Sequence, residues 1–210
     1  MHLNREILPP RIQQWKDRGD ITKCADHDIF YMDSNSGDET IVCIHGFPTS
    51  SFDWVEMWES LDSKYRVFAF DLLGFGFSEK PRPYQYTIAE QTDILVELLG
   101  KRGIKKFHLL SHDYGTIVAE ELLARCCDGG ASTGVSILSA TFLNGALFPE
   151  MHRPRLAQKL LLSPIGPFVS KLFNKKKFKK AFSEVFGENT KPSESEIREF
   201  WSLICYNDGH

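Results

Sequence analysis

Hydrophobic residues along the first two thirds of this chain come in short runs, each closed by a polar residue or a glycine, with stretches of helical spacing between them. "TIVCIHG" (40–46) is a β-branched run of the kind buried on both faces of a parallel sheet. "RVFAFD" (66–71), "KFHLLSH" (106–112) and "GVSILSATFLN" (134–144) repeat that character, and "DIFYMDS" (28–34) reads as an edge strand. Helical patterns fall at 52–61, 87–102 and 114–127. Strands alternating with helices predict an α/β fold, a doubly wound and mostly parallel sheet covered on both faces. In such sheets, polar residues at the carboxyl ends of the strands gather in one crevice, where ligands bind. His45, Asp71, Asp113 and Asn144 hold such places.

Beyond residue 144 the pattern changes. Residues 148–210 are rich in Pro, Lys and Phe, and their helical stretches are interrupted by "SPIGP" and "TKPSESE". The expected organisation is a sheet-bearing core (1–147) followed by an inserted helical cap (148–210). Ser193 stands three residues before Glu196, which predicts a helix-capping box. "NKKKFKKAF" (174–182) sets five lysines around Phe178. It reads first as the solvated face of a cap helix, and second as a site of reversible contact with an endoplasmic-reticulum surface.

Composition narrows the function. The 210 residues are 42% hydrophobic with a formal net charge of −3, which argues against a nucleic-acid partner because phosphate binding calls for a basic surplus. Five cysteines (Cys24, Cys43, Cys126, Cys127, Cys205) are odd in number and match no metal spacing, which fits reduced thiols facing the cytosol. The adjacent Cys126 and Cys127 are expected to be packing residues. The N-terminus is charged from the start and offers no apolar stretch for a signal peptide or a membrane span. The expectation is a cytoplasmic chain with no cofactor and no metal.

The chemistry is concentrated at "SHDYG" (111–115). A small residue two places before Asp113 and a glycine two places after it suit a sharp strand-to-helix turn, where neighbouring backbone passes too close for a large side chain. Ser111 and Gly115 fill those places. Asp113 would then stand in an apolar hollow above the sheet, at a helix N-terminus where the dipole favours its ionised form. An ionised carboxylate needs no base to act as a nucleophile, and on an sp³ carbon bearing a leaving group it makes an ester that water can later cleave. The rival reading is that His112 and Asp113 only cap a helix. "HGFPTSSFDW" (45–54) follows a buried strand directly, so the turn at His45, Gly46 and Pro48 could aim the Phe47 N–H at the space above Asp113. With the N–H of Tyr114 this makes an oxyanion hole.

"HGFP", "DLLGFGFSEKP" and "SHDYG" together resemble the α/β-hydrolase superfamily, in its epoxide hydrolase and haloalkane dehalogenase branch, where Asp stands at the elbow in place of Ser. The resemblance implies an eight-stranded sheet under a helical lid, Asp113 as nucleophile, Phe47 and Tyr114 as oxyanion donors, and a water activated by a His–acid pair. That His would follow the last strand, beyond the lid, whereas this chain stops at "CYNDGH", within it. No other histidine substitutes: His45 belongs to the oxyanion turn, His112 flanks the nucleophile and points away, His152 begins the lid and His210 is terminal. Asn144 and Glu150 lie where an acid could be supplied. The expectation is a fragment or shortened isoform of a larger hydrolase, without the last strands and without turnover of its own.

Dehalogenases of this branch hold the departing halide at the places that Phe47 and Tyr114 occupy here, and neither side chain has an indole or amide N–H. Epoxide hydrolases are the better match because "HGFP" fits them, which by resemblance implies a small apolar epoxide as substrate. Tyr206, which would protonate the opening ring, and Trp201 are the lid candidates for its pocket. Three readings stay open: an Asp-nucleophile hydrolase, a non-catalytic relative binding a lipid or protein partner, and an unstable product whose 134–144 strand is an exposed apolar edge.

Overall fold

The computed structural model describes residues 7–127, 133–145 and 174–209. In chain order they form α1 (Pro10–Arg18), β1 (Asp20–Cys24), β2 (His27–Asp33), β3 (Thr40–Ile44), a 3-10 turn (Ser51–Trp54), α2 (Val55–Asp62), β4 (Arg66–Phe70), α3 (Ile88–Lys101), β5 (Lys106–His112), α4 (Tyr114–Cys127), β6 (Ser136–Leu143), α5 (Lys175–Ser183) and α6 (Glu194–Cys205). Six strands make one sheet in the order β1-β2-β4-β3-β5-β6. The four strands from β4 to β6 run parallel, and β2 and β1 join antiparallel at the other side.

The 28–34 strand is not the edge. β1 lies outside it, joined by a two-residue turn in which Ala25 and Asp26 take φ of 47° and 65°. Both central residues lie in the left-handed region, the conformation that closes a two-residue hairpin. The strand at "DITKC" carries little apolar signal because four of its five residues keep some exposure.

Alternation along the central strands feeds two cores. Val42 and Ile44 of β3 face the layer of α3 and α4, where Leu95, Leu98, Val118 and Leu122 are fully buried. Ile41 and Cys43 face the other way, onto Trp15 of α1 and Trp58 of α2, whose rings meet edge-on at 5.2 Å. α1 is held there by Ile12 and Trp15, one helical turn apart, and by the Trp15 indole N–H donating to Ser51 Oγ at 3.1 Å. Away from the crevice, the Asp33 carboxylate accepts hydrogen bonds from Arg66 at 2.6 and 2.9 Å and from Arg102 at 3.1 Å, and Arg102 lies over the Tyr31 ring.

The helices α5 and α6 bury their apolar faces against each other. α5 turns Phe178 and Phe182 inward onto Ile197 of α6 and leaves its five lysines exposed. α6 starts at a capping box in which the Ser193 and Glu196 side chains bond each other's backbone N–H. It docks beside α1, where Leu203 joins the Trp15 core, Phe200 meets Phe52 at 5.7 Å and Arg11 pairs with Glu199 at 3.3 Å. The expected boundary near 147 lies outside the described residues. β6 is a sheet edge among the described residues, with Leu138 and Leu143 exposed. No disulfide joins the five cysteines; Cys126 packs against the α3–α4 core, but Cys127 is exposed and is not a packing residue. Among the described residues no helix is long and apolar enough to cross a membrane.

Candidate active site

β5 ends at His112 and α4 begins at Tyr114, so Asp113 alone makes the turn. It does so at φ 50°, a left-handed conformation that costs a non-glycine residue about 1–2 kcal/mol. The surrounding backbone enforces this. A side-chain carbon at Gly115 would lie 2.4 Å from the His45 carbonyl oxygen and 2.7 Å from that of Ile44, and one at Gly46 would lie 2.6 Å from Asp113 Cβ. Glycine at these two positions lets the turn after β3 touch the elbow after β5. Ser111 is fully buried and its hydroxyl has no hydrogen-bond partner, so the position uses its small size and not its polarity.

The contact across these two turns is polar. The Phe47 N–H donates to Asp113 Oδ1 at 2.9 Å, beside a cis Phe47–Pro48 peptide. Tyr114 opens α4, where a first-turn N–H has no partner within the helix. His45 braces the turn from beneath. Its Nδ1–H donates to the Gly46 carbonyl and its Nε2 accepts the Leu72 N–H, both at 2.9 Å. Burial disfavours its charged form and lowers its pKa to about 4, so it is a neutral strut.

The hollow expected around Asp113 is absent among the described residues: its side chain is exposed. The nearby aromatic rings form an open row, with Phe47 and Phe75 centroids 6.1 Å apart, Phe75 and Tyr114 6.0 Å apart, and Phe47 itself 59% exposed. Nothing in that row closes over the carboxylate.

Asp71 behaves differently. Fully buried at the end of β4, it accepts the Ser51 and Phe77 N–H groups, each at 2.7 Å, and ties the loop after β3 to the loop after β4. Burial raises its pKa against those hydrogen bonds. The sequence reading missed Asp53. Its Oδ2 lies 2.8 Å from His112 Nε2 and accepts from the Thr49 hydroxyl. The acid is visible in "HGFPTSSFDW", but its partner stands 59 residues away, beyond the reach of local spacing.

The lid candidates lie elsewhere. The Tyr206 hydroxyl accepts from Lys16 Nζ at 2.8 Å and its ring packs edge-on to Phe77, while Trp201 packs on Phe178 at 5.6 Å. Both are bound into the contacts that dock α6 and α5. Asn144 follows β6 at φ 52°. Glu150, His152 and His210 lie outside the described residues. Among the described residues no cluster of His, Cys, Asp or Glu side chains is placed to hold a metal ion.

A parallel sheet with an acid-bearing elbow and a backbone donor facing it defines a hydrolase-type scaffold. The family model described as alpha/beta hydrolase fold matches residues 39–187, and the chain belongs to that family. It is 44% identical over 218 residues to the mesoderm-specific transcript protein of Mus musculus, covering all of this chain and 65% of that protein. The chain therefore spans about two thirds of that relative's length. Among solved structures it is similar to the haloalkane dehalogenase DatA of Agrobacterium tumefaciens, with a TM-score of 0.70 at 20% identity, covering 88% of this chain and 61% of that one. It is also similar to an epoxide hydrolase from Vigna radiata, with a TM-score of 0.68 at 20% identity, covering 90% of this chain and 68% of that one. At such identities these two likenesses speak for the fold alone.

Proposed function

We propose that Asp113 is the nucleophile of a hydrolase acting through a covalent alkyl ester, on a small apolar epoxide or a similar electrophile. The observation that carries this reading is the Phe47 N–H at 2.9 Å from Asp113 Oδ1, on a residue held at φ 50° by the backbone around it. A helix cap needs neither the strain nor a donor from another strand's turn. Asp113 Oδ2 attacks a ring carbon, a C–O ester bond forms, and the ring C–O bond breaks. The ring oxygen takes a proton from water. In the second step water adds to the ester carbonyl, the oxyanion rests between the N–H groups of Phe47 and Tyr114, and expulsion of the diol restores the carboxylate.

In this chain the first step runs ahead of the second. Each of the four described histidines is engaged away from Asp113: His27 with Tyr84, His45 with Leu72, His108 with Ser139 and His112 with Asp53. Among the described residues no histidine is therefore placed to activate the water, and the ester is expected to persist. Incubation with a panel of aryl and alkyl epoxides, followed by intact-mass measurement, is expected to show one added epoxide mass that Asp113→Asn abolishes. No adduct on a folded chain, or the same adduct on the variant, overturns the reading. The exposure of Asp113 favours a second reading, in which the aromatic row binds a lipid or protein partner without chemistry. A folded chain that no epoxide labels would support that one.

A further inference from the structure

Neither step above uses His112, yet its imidazole sits between the two turns that meet at the nucleophile. Nε2 lies 3.2 Å from the Gly46 N–H and 2.8 Å from Asp53 Oδ2, and the ring packs edge-on to Trp54 at 5.4 Å. The same turn is gripped a second time by Asp53, which accepts from Thr49 while the Thr49 N–H donates to the Gly46 carbonyl at 3.2 Å. Gly46 N–H is the amide next to that of Phe47, the donor aimed at Asp113. We propose that His112 is a positioning residue: through Nε2 it holds the Gly46–Phe47 turn against Asp53 and so sets where the Phe47 N–H stands over Asp113.

The chemistry of that nitrogen makes the hold depend on its proton. To accept the Gly46 N–H, Nε2 must present a lone pair; to bond the Asp53 carboxylate, it must carry a hydrogen. One atom meets both demands only in turn. With Nε2 protonated, the ring is drawn to Asp53 and the Gly46 amide is released. When the ring gives up the Nε2 proton and keeps its hydrogen on Nδ1, the amide is held and the carboxylate faces a lone pair. The charged and titratable groups facing the ring are Asp53 from the 3-10 turn, Asp113 from the elbow and neutral His45 from the end of β3. Burial opposes the imidazolium, but the Asp53 hydrogen bond and the charges of Asp53 and Asp113 outweigh it and place His112 above its ordinary 6.5.

The catalytic meaning of this hold rests on the Asp113 reading; the hold itself does not. In the ¹⁵N-labelled chain, the Gly46 and Phe47 amides are expected to shift with pH at the same midpoint as the His112 imidazole, above 6.5. Asp53→Asn is expected to move that midpoint down. Because the Phe47 N–H orients the attacking carboxylate, the rate of epoxide labelling should inflect at the same pH, and His112→Gln should remove the inflection and slow labelling by roughly tenfold through misplacement of Asp113. Amides that stay still through the imidazole titration overturn the proposal, as does an inflection that survives His112→Gln. The wild-type titration decides the matter even where the variant does not fold. Titrating amides on a chain that no epoxide labels would sink the nucleophile and leave the positioning role standing.

Discussion

Two carboxylates end neighbouring parts of the same sheet, each among glycines, and the fold treats them in opposite ways. Asp71 is fully buried and spends both oxygens on backbone amides of two different loops. Asp113 is exposed and has one oxygen on one amide, the other accepting no hydrogen bond among the described residues. Both residues look alike in the sequence: an acid at the end of a strand-like run, with a glycine close behind. What separates the structural acid from the proposed nucleophile is saturation. A carboxylate with its lone pairs filled by buried donors is a fastening, and one left partly unfilled on a strained backbone is available for bond formation.

That contrast can be tested from its strongest side downward. Asp71→Ala leaves the Ser51 and Phe77 amides buried without an acceptor, at about 1–3 kcal/mol each. Chemical denaturation is therefore expected to show a loss of several kcal/mol, and Asp71→Asn, which keeps one acceptor oxygen, should fall between the variant and the parent. Asp113→Gly should behave in the opposite way: release from the left-handed strain of about 1–2 kcal/mol offsets the added chain entropy of glycine, so stability is held or slightly raised while labelling is lost. Equal destabilisation by the two substitutions would erase the distinction. Ser193→Ala is the remote control. It removes the cap of α6 at a cost of about 1 kcal/mol, with labelling of Asp113 unchanged.

The parts of this molecule that were legible in the sequence are those whose signals are local. β5 was read to the residue because an apolar run stops at a polar one, and the elbow because small residues flank an acid at fixed offsets. α1 and β1 were not read. α1 presents only Ile12 and Trp15 to the core on a strongly polar helix, and β1 is an exposed hairpin arm closed by Ala25 and Asp26, which lack the glycine that usually marks such a turn. The α6 apolar face was implicit in Ile197, Phe200 and Leu203, but helical spacing says which face is buried and not against what. The same limit hid the Asp53–His112 pair, since a contact between two loops is a property of the sheet that brings them together.

At the pole of the sheet away from the elbow, Asp33 is shared by two guanidiniums. Burial pushes this carboxyl upward, yet the bonds from Arg66 and Arg102 and the Asn35 amide prevail and hold it below its ordinary 3.8. Its contribution is therefore complete above 3.8 and is surrendered only as pH falls through the lower folded value. During mild acidification the strand ends around Asp33 stay knotted while the imidazole beside the elbow takes up its proton, so the molecule can change the shape of its elbow rim without loosening the foundation beneath it.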